Sequence, residues 1–422
     1  MAETNELGTA ALRLNPKRPG APEAAQAFTE SPVPWCKNGW YIKEGTRPGL
    51  SLLHRMGAYY IQEASAMAPA SVLDVQSNEL ALDMCAAPGG KTGQLAAACR
   101  ALISNEIVPK RASILSSTVE RMGIANTVVT SAAPEQLSAA LPPVFDALLV
   151  DAPCSGEGMF RKNPNAKDEW TDNTPAGCAK RQAHILDCAA SLIKEGGRLV
   201  YSTCTFSEEE NEGSVESFLR RHPQFELRDF ALNGLPASEN GMLRIHPNIA
   251  RGEGQFMALM INTAPVENLP KKKKSRGKPE KPAFDIKEVM KRLGDIVPSI
   301  ESITADSRLV LFGDTLLTVP DALPEIDGIN LIRFGLRLCK VGSGRKEGLY
   351  VIPDHALAMA MQLPDAAGTL DLSEDELLRF IDDGTLSSDK TGWQLVTCCG
   401  MPAGWAKGSA GMVKSHIPRT LQ

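Results

Sequence analysis

No run of apolar residues in this chain approaches the ~20 needed for a helix to cross a bilayer. The first twenty residues, MAETNELGTAALRLNPKRPG, lack the apolar stretch and cleavage site of a secretory signal. Among the ten cysteines there is no Cys-x-x-Cys pair, and none stands near histidines at zinc-finger spacing. These absences argue against a membrane partner and against any metal, and they place the protein in the cytoplasm, where thiols stay reduced. A complete P-loop is also missing, although LDMCAAPGGKT (82–92) ends like one. That pattern needs a glycine at position 85, and the residue there is Cys85. A nucleotide hydrolase therefore loses its main signature.

The net charge of −5 at first weighs against a nucleic-acid partner, but the charge is uneven. PKKKKSRGKPEK (270–281) is strongly basic, and no Asp or Glu follows Asp389. Phosphates respond to local basic surface, so an acidic total leaves RNA open. Near the C-terminus GWAKGSAGMVKSHIPR interleaves aromatic and basic residues without an acid, which suits RNA better than the lysine run of the linker.

At 422 residues the chain has room for two or three cores. Residues 15–55 read as a small irregular lead-in, and GAYYIQEASAMAPASVLDV (57–75) as an amphipathic helix. From residue 79 strands and helices alternate. ELALDMC, LISNE, NTVVT, VFDALLVDAPC and GRLVYSTC are the expected strands, with GGKTGQLAAACRA, PKRASILSSTVERMG, KRQAHILDCAASLIKEG and EENEGSVESFLRRHP as helices. GQFMALMIN is a final strand. This order predicts an α/β fold with a mostly parallel sheet covered on both faces, and ligands beyond the carboxyl ends of its strands. CAAPGG, DAPCSGEG and STCTFS all fall at such ends.

In the first of these loops Gly89 and Gly90 admit close backbone approach, and the following helix start favours a negative group. Glu106 ends the second strand, where an acid commonly accepts from ribose hydroxyls. A carboxylate site beside a ribose site describes S-adenosylmethionine, while the bland reading is an ordinary turn with a surface acid. Two cysteines on adjacent strand ends, Cys154 after Asp151 and Pro153 and Cys204 within STCT, add a second signal. Cytosine C5 is barely nucleophilic until a thiolate adds to C6, and a carboxyl group near N3, here Asp151, would assist. By chemistry alone either sulfur is a candidate, since a Pro-Cys thiol does this work in DNA cytosine methyltransferases.

The stretches YYIQEASAM, DMCAAPGGKT, NEIVPKRASIL, LLVDAPCSGEGMFRKNP, KRQAHILDCA and LVYSTCTFSEEENE together resemble the Sun family of RNA cytosine-C5 methyltransferases, most closely its RsmF-type 16S rRNA enzymes. The later segments LIRFGLRLCKVG, HALAMAM and KGSAGMVKSH resemble the PUA-like domain of that subgroup. The resemblance implies a Rossmann-like class I methyltransferase domain over 71–263. It implies an N-terminal RNA-binding-like segment over 1–70, a basic linker over 264–282 and an α+β PUA-like RNA-binding domain over 283–422. It makes Cys204 the nucleophile, gives Cys154 a part in product release, and sets Asp151 and Pro153 around the base. Cys85, Ala86, Ala87, Pro88, Gly89, Gly90 and Lys91 would form the S-adenosylmethionine loop, with Glu106 on the ribose, Arg111 nearby and Asp151 also within reach of the cofactor. Arg161 and Lys162 would meet RNA backbone. The implied partner is RNA rather than DNA, in particular 16S rRNA or the small ribosomal subunit. One departure stands out: Ser131, Ala132 and Ala133 occupy the place where the family commonly carries an adenine-side Asp.

Overall fold

The computed structural model describes residues 9–156, 171, 173–265, 284–344 and 348–418. Among them the chain forms four sheets, and no helix is long and apolar enough to cross a membrane.

The first sheet is antiparallel and joins β1 (Ala10–Leu14), β2 (Thr29–Pro32), β3 (Gly39–Ile42) and β4 (Tyr59–Glu63) in the order β2-β3-β1-β4. It replaces the irregular lead-in expected from the sequence. It also corrects the helix expected over 57–75, because only Ala68–Leu73 is α-helical there. Tyr59, Tyr60 and Ile61 favour a pleated surface, and β4 pairs with all of β1 from Ala10↔Glu63 to Leu14↔Tyr59. That ladder outweighs the helical spacing.

The central sheet contains β5 (Leu80–Asp83), β6 (Ala101–Asn105), β7 (Thr127–Thr130), β8 (Phe145–Asp151), β9 (Ile193–Thr203), β10 (Phe225–Leu227), β11 (Met242–Ile245) and β12 (Gln255–Asn262). Its order is β10-β12-β9-β8-β5-β6-β7, with β11 beside β12. Strands β5 to β9 run parallel, and β10 to β12 are antiparallel additions. Ala147, Leu148, Leu149 and Val150 of β8 have no exposed surface. Leu148 and Val150 pack with Leu82, Leu186 and Leu199 on one face. Ala147 and Leu149 pack with Ala81, Leu95 and Leu102 on the other. A continuous apolar run is what a strand covered on both faces requires, and each fully buried Leu or Val contributes about 1.5–3 kcal/mol. The helix expected over 180–196 instead spans Thr174–Ala190, and β9 begins at Ile193. Ile193 gains both complete burial and a ladder partner, Phe145, by joining the sheet.

From β5 the chain winds outward to β6 and β7 and then returns to β8 on the other side of β5. That reversal opens a crevice at the carboxyl ends of β5 and β8, where such folds hold ligands.

Beyond residue 283 lie β13 (Ser307–Phe312), β14 (Thr315–Pro320), β15 (Leu331–Phe334), β16 (Leu336–Gly344) and β17 (Gly348–Pro353). They are followed by β18 (Thr369–Asp371), β19 (Thr385–Ser387), β20 (Gly392–Cys398), β21 (Met401–Ser409) and β22 (Met412–Ser415). Apart from β15, these make two sheets, β13-β14-β16-β17 and β18-β20-β21-β22-β19. Strand β15 belongs to neither. It pairs antiparallel with β7 and closes the open edge of the central sheet. Leu317 and Val319 of β14 share a core with β8, so the part after the linker is anchored to the central domain.

Candidate active site

The loop after β5 is held to its neighbours mainly by backbone. Ala86 N donates to Asn105 O at 2.8 Å, and Thr118 Oγ1 donates to Pro88 O at 2.9 Å. Arg111 Nη2 donates to Ala87 O at 3.1 Å, and the Ala87–Pro88 peptide is cis. Gly89 has φ +113°, and a Cβ there would lie 2.9 Å from Thr118 Cγ2. Only glycine lets this loop lie against the helix Pro109–Arg121. The carboxylate of Glu106 is nearly buried, accepts from Val108 N at 3.0 Å, and has Arg111 Nη1 3.3 Å away.

Cys85, Ala87, Glu106, Arg111, Asp151 and Cys204 line one cavity of about 710 Å³ at the β5–β8 crevice, together with Pro153 and Cys154. Ala86, Pro88, Gly89 and Gly90 are not part of its lining. Lys91 also stays outside the wall, because its ammonium is engaged by Asp151: Nζ lies 2.6 Å from Asp151 Oδ2. The other oxygen, Oδ1, accepts from Ser202 Oγ at 2.7 Å and Gln255 Nε2 at 3.1 Å. Asp151, at the end of β8, is thus fixed from two other strands and a helix. Below it Asp83 is fully buried, accepts from Thr92 Oγ1 at 2.8 Å, and is pushed by burial up to about 7.

The two sulfurs meet. Cys154 Sγ and Cys204 Sγ are 3.3 Å apart at the ends of adjacent parallel strands. They are electrostatically unequal. A hydrogen bond from Cys154 pulls the Cys204 thiol below its ordinary value against the effects of burial and of the Asp151 charge, and the Lys91 ammonium offsets part of the latter. Cys154 is pushed well above the ordinary value by that same bond, by burial and by the charge of Cys204, with Glu210 adding to it. The cation that favours the Cys204 thiolate, which the sequence left unassigned, is Lys91, although its partner Asp151 opposes it.

The missing adenine-side acid has a structural counterpart. Asn105 Oδ1 accepts from Ala132 N and Asn105 Nδ2 donates to Ala132 O, both at 3.0 Å, so the turn after β7 is braced by Asn105. Ala133, Glu135 and His184 then form that end of the cavity, where Glu135 Oε2 lies 3.1 Å from His184 Nε2. Residues that the sequence reading passed over also hold the site: Ser155, Gln182, Thr205 and Glu210. The one available signal was the SEEENE run after STCT, and a run of acids ordinarily reads as solvated surface. Arg161, Lys162 and the basic segment 270–281 lie outside the described residues. In the C-terminal segment Trp405 is a core residue whose indole donates to Asp354 O at 2.9 Å, so it cannot face RNA. The aromatic that meets basic groups there is Trp393, with Lys407 Nζ 5.5 Å from its ring centre and the His416 ring at 4.7 Å.

The crevice fits S-adenosylmethionine. Its volume suits a nucleoside-sized ligand, a buried acid sits at the end of β6, and the Cys85–Lys91 loop presents only the small side chains of Cys85 and Ala87 to it. A family model described as 16S rRNA methyltransferase RsmB/F matches residues 70–261. Models for the N-terminal domain, the first C-terminal domain and the PUA domain of RsmF match residues 1–64, 297–361 and 367–421. The chain is 33% identical over 417 residues to the ribosomal RNA small subunit methyltransferase F of Shewanella piezotolerans, covering 92% of this chain and 85% of that protein. It is 32% identical over 414 residues to the protein of the same name from Klebsiella pneumoniae, covering 93% and 84%. Among solved structures, a methyltransferase homologue from Pyrococcus horikoshii superposes with a TM-score of 0.53 at 26% identity, covering 61% of this chain and 87% of that one.

Proposed function

This chain belongs to the RsmF type of the Sun-family RNA methyltransferases and uses S-adenosylmethionine; on that premise we propose that it methylates C5 of a cytosine in 16S rRNA through a covalent cysteine adduct. The observation that carries this reading is the Cys154–Cys204 contact of 3.3 Å beside the Lys91–Asp151 pair.

Cys204, the sulfur favoured as thiolate, adds to C6 of the base and forms a C–S bond, and the ring electrons shift toward C5. Negative charge develops at N3, which takes up a proton through Asp151; Ser202 and Gln255 orient that carboxyl group, and the Lys91 ammonium paired with it is the proton source. Bound S-adenosylmethionine supplies the methyl group as an electrophile on sulfonium sulfur, and the residues around Glu106 and the Cys85–Lys91 loop would hold it. Once C5 carries the methyl group, the C5 proton passes to water and the Cys204 sulfur leaves as a thiolate, which restores the aromatic ring. Cys154, held protonated at 3.3 Å, is in position to assist that departure.

The base has to leave its stack to reach sulfurs at a strand end. The N-terminal sheet and the two C-terminal sheets, which surround the crevice-bearing domain, would hold structured RNA by shape and backbone while it does so. Bisulfite sequencing of total RNA from cells with and without the gene tests the substrate. One or more 16S cytosines should lose their protection in the deletion, and an unchanged 16S profile would remove the assignment.

A further inference from the structure

Each active-site thiol is followed by a hydroxyl residue, Ser155 after Cys154 and Thr205 after Cys204, and the two hydroxyl oxygens meet at 2.8 Å. Beneath them lies Glu210, which has no exposed surface although Glu208 and Glu209 beside it are exposed. Its Oε2 accepts from Ser155 N at 3.0 Å and from Gln182 Nε2 at 2.8 Å, and its Oε1 accepts from Ser155 Oγ. Gln182 also donates to the Pro153 carbonyl at 3.1 Å. Tyr201 fixes the turn by donating its hydroxyl to Glu210 O at 2.6 Å. Both neighbours of Cys154 therefore hang from the Glu210–Gln182 pair, and Ser155 carries the connection across to the Cys204 strand end.

A carboxylate taken out of water is costly unless well-placed donors satisfy it, and a third glutamate left on the surface of this turn would have cost nothing. The position of the charge is informative. Glu210 acts on Cys154, whereas Cys204 has both Asp151, which raises it, and Lys91, which lowers it. Among the described residues, the other charged or titratable groups that line the cavity are Asp151 on β8, Glu106, Arg111 and Glu135, and Arg181 and His184 from the helix Thr174–Ala190, while Asp83 is buried on β5.

We infer that Glu210 is a positioning residue of the two-thiol site: it suspends the Cys154 loop against the Cys204 strand end and sets a negative charge on the Cys154 side of the pair. This rests on the two-thiol reaction proposed above and adds a group that contributes to the inequality of the sulfurs.

Glu210→Gln separates charge from shape. Glutamine still accepts from Ser155 N, and the Ser155 hydroxyl can reverse to accept from the new amide. The probe is iodoacetamide on the full-length protein without RNA, across a pH series, with each thiol read by peptide mass spectrometry. The wild-type protein should alkylate at Cys204 first. In Glu210→Gln the rate at Cys154 relative to Cys204 near neutral pH should rise about tenfold, the effect of one pH unit. Turnover should fall with the cofactor KM unchanged. Ser155→Ala keeps the charge and cuts the bridge, so its alkylation ratio should stay near wild type while kcat drops. An unmoved ratio in Glu210→Gln, or an equal shift in Ser155→Ala, would overturn the inference. If Glu210→Gln does not fold, full kcat in Ser155→Ala would overturn it instead. Because alkylation is read without RNA, this result is independent of which sulfur attacks the base, and Cys204→Ala decides that separately.

Discussion

Cys154 and Cys204 stand 50 positions apart in the chain and 3.3 Å apart in the fold, with Lys91 on the side of one and Glu210 on the side of the other. Parallel pairing of β8 with β9, in the register Asp151↔Ser202, brings the two strand ends level. The same register puts Ser202 Oγ on Asp151, so the acid and both sulfurs are set by one ladder.

The two thiols should fail differently. Cys204→Ala is expected to abolish turnover and covalent capture of RNA. Cys154→Ala should still form the adduct but resolve it slowly, leaving a protein–RNA band on a denaturing gel. If Cys204→Ala traps RNA and Cys154→Ala does not, the roles are reversed.

Lys91 should act on the acid limb of the rate profile. Its ammonium favours the Cys204 thiolate, so Lys91→Met should move that limb to higher pH by about one unit, a roughly tenfold loss at the foot of the curve. The measurement is single-turnover methyl transfer from labelled cofactor across pH. A limb that stays in place would show that Lys91 serves only to orient Asp151.

Asp83 predicts a pH dependence of stability. Burial raises its folded-state value to about 7 from an ordinary value near 4, so between these limits the folded protein holds a proton that the unfolded chain has lost. The contribution is complete below the ordinary carboxylate value and is lost as pH rises through about 7. Thermal unfolding at pH 5 and pH 8 should show wild type losing more stability than Asp83→Asn, by on the order of a few kcal/mol at most. Parallel curves for the two proteins would contradict it.

The ion pair that fastens β15 to the cofactor domain should be costly to break. Arg333 is buried and its Nη1 lies 2.8 Å from Glu120 Oε2, while Arg337 shares the same oxygen at 2.5 Å from the surface side. Glu120→Ala leaves the Arg333 charge buried and unpaired, which is expected to destabilise by about 3–5 kcal/mol. Urea unfolding gives the value, and a loss below about 1 kcal/mol would mean that the β7–β15 ladder holds the edge without the ion pair.

Much of the central domain could be read locally. Continuous apolar runs such as ALLV in β8 have one stable home, a strand covered on both faces, and the loops after them carry the chemistry. The helix expected over 57–75 failed because Tyr59–Glu63 found a partner in β1, and no local pattern announces a partner 45 or more residues away. Strand β15 was missed for the same reason: LIRF is too short to declare itself, and only the open edge of β7 makes it a strand of the central sheet.

Residue order alone therefore determined the fold class, the two sulfurs and the acids at strand ends, because strand pattern and loop chemistry are properties of neighbouring residues. Tertiary structure alone decided that Lys91 pairs with Asp151, that Glu210 is buried under the Cys154 loop while Glu208 and Glu209 face water, and that Trp405 is core. The field at a sulfur depends on distances of a few ångströms between groups dozens of residues apart, and only the packed sheet sets those distances.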